Sequence, residues 1–543
     1  MKPMIPATTR TPLSCFSLLA SIWLLSGCVN IAPINNPPTN PGGPQTEFTP
    51  SPIAAPRIPT FKAAVTTYKA VPNDGKDDTA AIQAGLDAVN VAGGGTLEFA
   101  SGRYDISIDP AKQRALTLYP RLRLLGQTGA TIRVADNQIV YESVMATATY
   151  PTRLDDVEFS NLTFDVNGLN NPIKSPNETN GDLGTPTLRY VIRSFAGERV
   201  VIRNCTFTNI ENGNTVSFNG SAVADIAIED SRFLAVGGAL IDHDHSSIYT
   251  DGRRFRIVNN EFRGRNGAGT IGARTAIETH GDDIEVRGNT ISGYMQGANI
   301  VGRATDPSRQ LFKGNTISAV AVGLKLWPIG DAGPGDSRPA FTNLSIVGNT
   351  IDVSADEWWA SKAMVTDAPA GISFEVDASN GRNARLEIVD NRINFASYGG
   401  KTANEDRISV GIGLRGLEGR LLIDQVNLSR NQIRNAIGPC ILSTANLGGV
   451  ETSKVEGNTL TDCGRGATLV GAGDILRSGV VIGGATRNVT VTRNAISAAA
   501  AKTLNGFVLA SACSSNCVVS ANTTIGLQQA LLIPGTGWTN SGP

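Results

Sequence analysis

The chain has three histidines, His243, His245 and His280, and the residues around them are of the types that move protons. Asp242 and Asp244 alternate with the first two, Tyr249 follows, and Arg274, Glu278, Asp282 and Asp283 surround the third. An imidazole such as His280 or His245 suits a general base near neutral pH, and the Tyr249 phenol suits protonation of a leaving oxygen. A carbon acid beside a carboxylate gives up its proton only if that negative charge is neutralised, a task for Arg274 or Lys325. Glu278 with Asp242, Asp244 or Asp282 would instead form the carboxyl pair of a hydrolytic acid and base. Asp282 and Asp283, with Glu278, are hard oxygen ligands of the kind that hold Ca2+. No Cys/His grouping has zinc spacing.

Residues this far apart need a repeating scaffold to meet. Asparagine, any residue, then an apolar residue returns roughly once every 26 to 43 residues, a period that signals stacked units. Examples are Asn260-Glu-Phe262, Asn289-Thr-Ile291, Asn315-Thr-Ile317, Asn349-Thr-Ile351, Asn391-Arg-Ile393, Asn431-Gln-Ile433, Asn458-Thr-Leu460 and Asn494-Ala-Ile496. Asn161-Leu-Thr-Phe164 and Asn204-Cys-Thr-Phe207 precede them, and Ser231-Arg-Phe233 is a degenerate copy. Each follows a short alternating segment, and the units are too short for helix pairs. The pattern predicts an all-β chain, a single-stranded right-handed parallel β-helix, with the asparagines at corners that need left-handed backbone.

A second pattern, small residue, x, x, apolar, x, aligns the coils. It reads His245-Ser-Ser-Ile-Tyr249, Arg274-Thr-Ala-Ile-Glu278, Gly297-Ala-Asn-Ile-Val301, Gly323-Leu-Lys-Leu-Trp327, Gly371-Ile-Ser-Phe-Glu375, Gly411-Ile-Gly-Leu-Arg415 and Gly479-Val-Val-Ile-Gly483. With the apolar fourth residue inward, positions one, three and five face out, on coils about 4.8 Å apart. The catalytic candidates on that face are His280, His245, Tyr249, Arg274, Glu278 and Lys325. Asn299, Trp327, Glu375, Arg415 and His243 are candidates for substrate binding. Beyond Arg415 the outward positions read as small residues such as Ser443, Gly483 and Ala510, so those coils are expected to be scaffold.

Both ends carry further signals. Ile82, Leu86 and Val89 share one helical face after Asp77, Asp78 and Thr79, which predicts an N-terminal helix capping the open end of the stack. Lys2 and Arg10 precede an apolar run, Leu13 to Leu25, too short to span a bilayer. Leu25-Ser26-Gly27-Cys28 resembles the bacterial lipoprotein signal, which implies cleavage after residue 27, lipidation of Cys28 and export; Val29 favours the outer membrane. Residues 28–59 are rich in proline and read as an extended tether, with the β-helix domain over 60–543. A disulfide between Cys513 and Cys517 fits an oxidising compartment. Cys440 and Cys463 lie at different coil positions and are not expected to pair. A net charge of -1 argues against nucleic acid as a partner.

The string Asn73-Asp-Gly-Lys-Asp-Asp-Thr-Ala-Ala-Ile-Gln83, with Gly93-Gly-Gly-Thr-Leu-Glu-Phe99, resembles the opening of pectate-lyase-superfamily β-helix proteins. That family includes pectate lyases, polygalacturonase-like hydrolases, alginate epimerases and phage tailspikes, so the resemblance implies a polysaccharide, acidic in character, as partner. Three activities remain open. One is a lyase or epimerase acting on a uronic-acid polymer, the second a glycoside hydrolase, the third non-catalytic glycan binding through Trp327 and Tyr249. The chain lacks the Asp-Pro-His motif of alginate epimerases. The polygalacturonase motifs are also missing, and Thr279-His280-Gly281-Asp282-Asp283 only echoes one of them.

Overall fold

The computed structural model describes residues 47–138, 142–149, 152–171, 189–211, 214–237, 246–265, 273–303, 305–306, 308–329, 339–354, 369–375, 381–395, 409–415, 421–464, 476–499, 505–533 and 535–541. His243, His245, Asp242, Asp244 and Cys28, with its signal and the first part of the tether, lie outside them.

Every ladder between the named strands is parallel, and each strand pairs with its equivalents in the coils before and after. The chain is a right-handed parallel β-helix. Its hydrogen bonds define a 29-stranded sheet and a 14-stranded sheet. The larger one bends at a corner, because Asn214–Glu229 and Ser246–Val258 run through it, and so forms a front and a back sheet. Ala273–Thr279, Tyr294–Arg303 and Val322–Ile329 belong to the front sheet. Their inward side chains stack with those of the other sheets into one continuous core. Helix α1 (Thr79–Val91) closes the first coil with Ile82, Leu86 and Val89 buried, and its Thr79 amide is capped by Asp77 Oδ1 at 2.9 Å. Phe164, Phe207, Phe233 and Phe262 stack in register, with ring centroids 5.1, 5.0 and 4.7 Å apart.

The repeated asparagines form a buried ladder from Asn260 to Asn522. In each rung Nδ2 and the backbone N–H donate to the Oδ1 of the next asparagine, and Nδ2 also donates to a carbonyl of the preceding coil. The left-handed backbone falls one residue earlier than expected, on Asn259, Gly288, Gly314, Gly348, Asp390, Arg430, Gly457 and Arg493. The ladder asparagine instead saturates the buried polar groups that the corner exposes to the core. Asn161 and Asn204 are themselves left-handed, so the ladder slot in their coils is Leu162 and Cys205. Cys205 N–H donates to Ser231 Oγ and Ser231 N–H to Asn260 Oδ1, which starts the ladder.

Two further expectations are corrected. Cys440 and Cys463 are disulfide-bonded with Cα atoms 5.4 Å apart, as Cys513 and Cys517 are at 6.1 Å. Cys440 and Cys463 occupy different places around the coil, yet both point into the lumen, where opposite walls meet. Ser443 also faces inward, paired with Leu414 and Ile482. The outward row there carries Leu442, Val481 and Val508, which join Val410 in a small apolar cluster rather than a bland polar face.

One core position is mismatched. Asn383 lies between Phe341 and Ile423 in the back sheet, with Nδ2 and Oδ1 both buried and without a hydrogen-bond partner. Replacing an unsatisfied buried amide with an apolar side chain of similar size removes its desolvation cost. Asn383→Leu is expected to raise stability by about 1 kcal/mol, read as a higher midpoint in denaturant.

Candidate functional site

The front sheet sets its outward residues in rows. One row runs Arg193, Ser217, Tyr249, Glu278, Asn299, Lys325, Ser373 and Gly413, one residue per coil. The next outward slot carries Asn219 and Asp251, then His280, Val301 and Trp327, then Glu375 and Arg415. At about 4.8 Å per coil, Tyr249 and Lys325 stand roughly 14 Å apart along the stack.

The alignment read from the sequence slips by two residues between the Arg274 coil and the Gly297 coil. Ile300 pairs with Thr279, not Ile277, whose partner is Ala298. The cause is chemical. Each strand has two inward slots, and in two coils the second holds Thr250 or Thr279, which an apolar template skips. Thr279 is accommodated inside because its hydroxyl donates to Gln310 Oε1 at 2.7 Å. A slip of two keeps every side chain on its own face, so Tyr249, Glu278, Asn299, Lys325 and Trp327 remain outward. Position one does not follow that rule. A Cβ on Gly297, Gly323, Gly371 or Gly411 would lie 2.4 to 2.7 Å from Ile317, Ile351, Ile393 or Ile433 in the core, so these glycines face in and allow two walls to approach.

Glu278 is the hub of the site. Oε1 accepts from His280 Nε2 at 3.1 Å and Asn299 Nδ2 at 3.3 Å, and Oε2 accepts from Ser246 Oγ at 2.5 Å. Burial pushes its carboxyl upward, but the hydrogen bonds from His280 and Ser246 and the charges of His280 and Arg274 outweigh it and hold the pKa below the ordinary value. A carboxylate only accepts, so His280 Nε2 carries a proton, and in the neutral ring Nδ1 is the atom able to take another up. Nδ1 is buried without a protein partner, as is Asn299 Oδ1. The Tyr249 ring lies 4.9 Å from the imidazole, tilted by 32°.

Cations flank this centre on both sides. Lys325 Nζ sits 5.7 Å over the Trp327 ring, and Arg415 donates to Ser373 Oγ at 3.0 Å. On the other side Arg193 pairs with Glu142 and lies over the rings of Tyr190 and Phe195 at 4.3 and 4.2 Å. Burial lowers its pKa to about 10, so it stays charged at neutral pH. Arg193 and Ser246 were not singled out from the sequence. Arg189-Tyr-Val-Ile-Arg193 carries the apolar fourth residue and, like the Arg274 copy, an arginine at position one, so the same template could have found it.

Asp282 and Asp283 are not free to bind a cation. Asp282 is held by Arg309 through both oxygens at 2.9 and 2.6 Å, and Asp283 by Arg256 at 3.0 Å. Guanidinium groups repel a metal ion from those carboxylates, and among the described residues no group of three or more ligating side chains converges. Glu375 keeps its place in the row opposite Arg415, but only its backbone is described.

No family model matches the chain. Over 241 residues it is 29% identical to mannuronan C5-epimerase AlgE3 of Azotobacter vinelandii, an alignment covering 41% of this chain and 13% of that protein. It is also 29% identical over 229 residues to mannuronan C5-epimerase AlgE1 of the same organism, covering 39% and 16%. The chain thus spans less than a fifth of the length of these relatives. In fold it resembles the tailspike protein of E. coli bacteriophage HK620, solved in complex with a pentasaccharide. That match has 13% identity and a TM-score of 0.58, over 89% of this chain and 80% of the other.

Proposed function

We propose that this protein acts on a uronic-acid-containing polysaccharide by removing the C5 proton of a uronate, with epimerisation as the main outcome. The observation that carries the reading is the hydrogen-bonded His280–Glu278 pair with the Tyr249 ring packed against the imidazole on one outward face, and Arg193, Arg274 and Lys325 around it. Similarity to the mannuronan C5-epimerases supports the class of reaction. A cation on the uronate carboxylate favours the enolate-like anion that forms when C5 loses its proton. Tyr249 and His280 lie too close for a sugar to fit between them, so they act from one side as a proton-transfer pair: the phenol proton passes to the buried Nδ1, and the phenolate oxygen takes the C5 proton. A proton returned from solvent to the far face inverts C5; loss of the bond at O4 instead gives an unsaturated end.

Glu278 is unsuited to be the general acid of a glycoside hydrolase. The general acid of such an enzyme needs a raised pKa, whereas that of Glu278 is lowered. Trp327 offers a stacking platform that would serve a bound polymer in either case. Lipidation of Cys28, with export to the outer membrane, belongs to the same proposal and rests on the sequence signal alone.

The test is incubation of polymannuronate and other polyuronates in D2O. Deuterium at C5 with chain length retained is the expected result. Unsaturated ends absorbing in the ultraviolet would assign a lyase. New reducing ends without them, or polymer binding with no chemistry, would overturn proton abstraction.

A further inference from the structure

Residues 47–59, expected to be free tether, lie against the body. Phe48 N–H donates to Ser345 Oγ at 3.5 Å, Ser51 N–H to Asp283 at 3.1 Å and Arg57 N–H to Asp156 Oδ1 at 2.9 Å, while the Ala54 amide lies near enough to Asp225 to help hold its pKa down. Together with Ala54 the three donors mark every third residue. Their acceptors are on every second coil, since the coils of Arg199, Arg254 and Arg309 intervene. Three residues of an extended polyproline-type strand rise about 9.3 Å, and two coils rise about 9.6 Å. The two repeats are commensurate.

The corner that receives this strand has its own alternation. Arg121, Asp156, Arg199, Asp225, Arg254 and Asp283 occupy the same slot in successive coils, all left-handed with φ between 56° and 60°. Arg199 grips Asp156 through both oxygens at 2.6 and 2.9 Å, and Arg254 grips Asp225 likewise at 2.6 Å. These arginines hold the Asp156 and Asp225 pKa values below the ordinary carboxylate range, so both stay charged acceptors. Arg256 donates both to Asp283 and to the Ser51 carbonyl, and Lys313 pairs with Glu47 at 2.8 Å. Proline cannot donate. Pro50, Pro52, Pro56 and Pro59 all avoid the donor slots 48, 51 and 57, and slot 54 between them.

We infer that this corner is a binding site for an extended proline-rich strand, that residues 48–57 are its resident occupant, and that the docked strand ties non-adjacent coils into one unit. In a solenoid each coil otherwise contacts only its neighbours. A strand spanning from the Asp156 coil to the Ser345 coil adds coupling that nearest-neighbour stacking lacks. It also determines that the chain leaves the body beside Ser345 rather than at the capped end.

Hydrogen exchange of the full chain, read residue by residue, tests this. The Ser51, Ala54 and Arg57 amides are expected to be protected, and those of Thr49, Ile53 and Ala55 to exchange freely. Ser51→Pro removes one donor without touching the body. It is expected to speed exchange at Ala54 and Arg57 roughly tenfold, since one lost hydrogen bond loosens its neighbours. Ala55→Pro, in a non-donor slot, is expected to leave them protected. Equal effects of the two prolines, or no three-residue periodicity in the unmodified chain, would overturn the inference.

Discussion

Tyr249→Phe is expected to lower kcat on a polyuronate by about 10²- to 10⁴-fold while stability changes by less than about 0.5 kcal/mol. The substitution removes only the phenol oxygen, so the ring contact with His280 at 4.9 Å and the packing of its strand persist. His280→Gln is expected to match it, because an amide can still donate to Glu278 but cannot take up a proton. Glu278→Gln separates positioning from chemistry. The carboxylate pKa is depressed in the folded protein, so its contribution is present above the ordinary value of 4.5 and is lost as pH falls through the folded value. Replacing it should change the pH profile of kcat, not only its height. If Tyr249→Phe retained full turnover, the proton-transfer role of the Tyr249 and His280 pair would be lost.

The second large effect concerns the scaffold. Asn349 Oδ1 accepts from the Asn315 N–H and from Asn315 Nδ2, both at 2.9 Å, and its Nδ2 donates to the Phe312 carbonyl and to Asn391 Oδ1, both at 3.0 Å. Asn349→Ala strands several buried polar groups at about 1–3 kcal/mol each, so a loss of roughly 3–6 kcal/mol is expected. That is a large share of a domain's usual stability. Because coils couple mainly to neighbours, denaturant unfolding should split into two steps, with the coils on one side of residue 349 melting first. Asn522→Ala, at the ladder's end, removes fewer bonds and should cost clearly less. A single unshifted transition for Asn349→Ala would show that the asparagine ladder is dispensable.

The outward identity of Tyr249, Glu278, Asn299, Lys325 and Trp327 was legible because strand side chains alternate with period two, and parity survives a slip of two residues. The pairing of Tyr249 with Glu278 was legible as well, since both hold position five of adjacent copies; the register that sets Asn299 beside Glu278 was not. It depends on which residues pair across loops of unequal length, and Thr279 hid one inward slot behind a hydroxyl satisfied by Gln310. The metal reading of Asp282 and Asp283 failed for a related reason. Their partners, Arg309 and Arg256, come from neighbouring coils, and no local pattern announces an ion pair formed across the stack.

Periodicity and composition were enough to establish a stack of parallel coils, its capping helix and the face that carries polar chemistry, because these follow from local alternation and spacing. Partners lay beyond their reach. The Cys440–Cys463 bond, the docking of residues 48–57 and the His280–Glu278–Ser246 cluster each join residues through the third dimension. Their energies come from contacts that exist only once the coils have stacked.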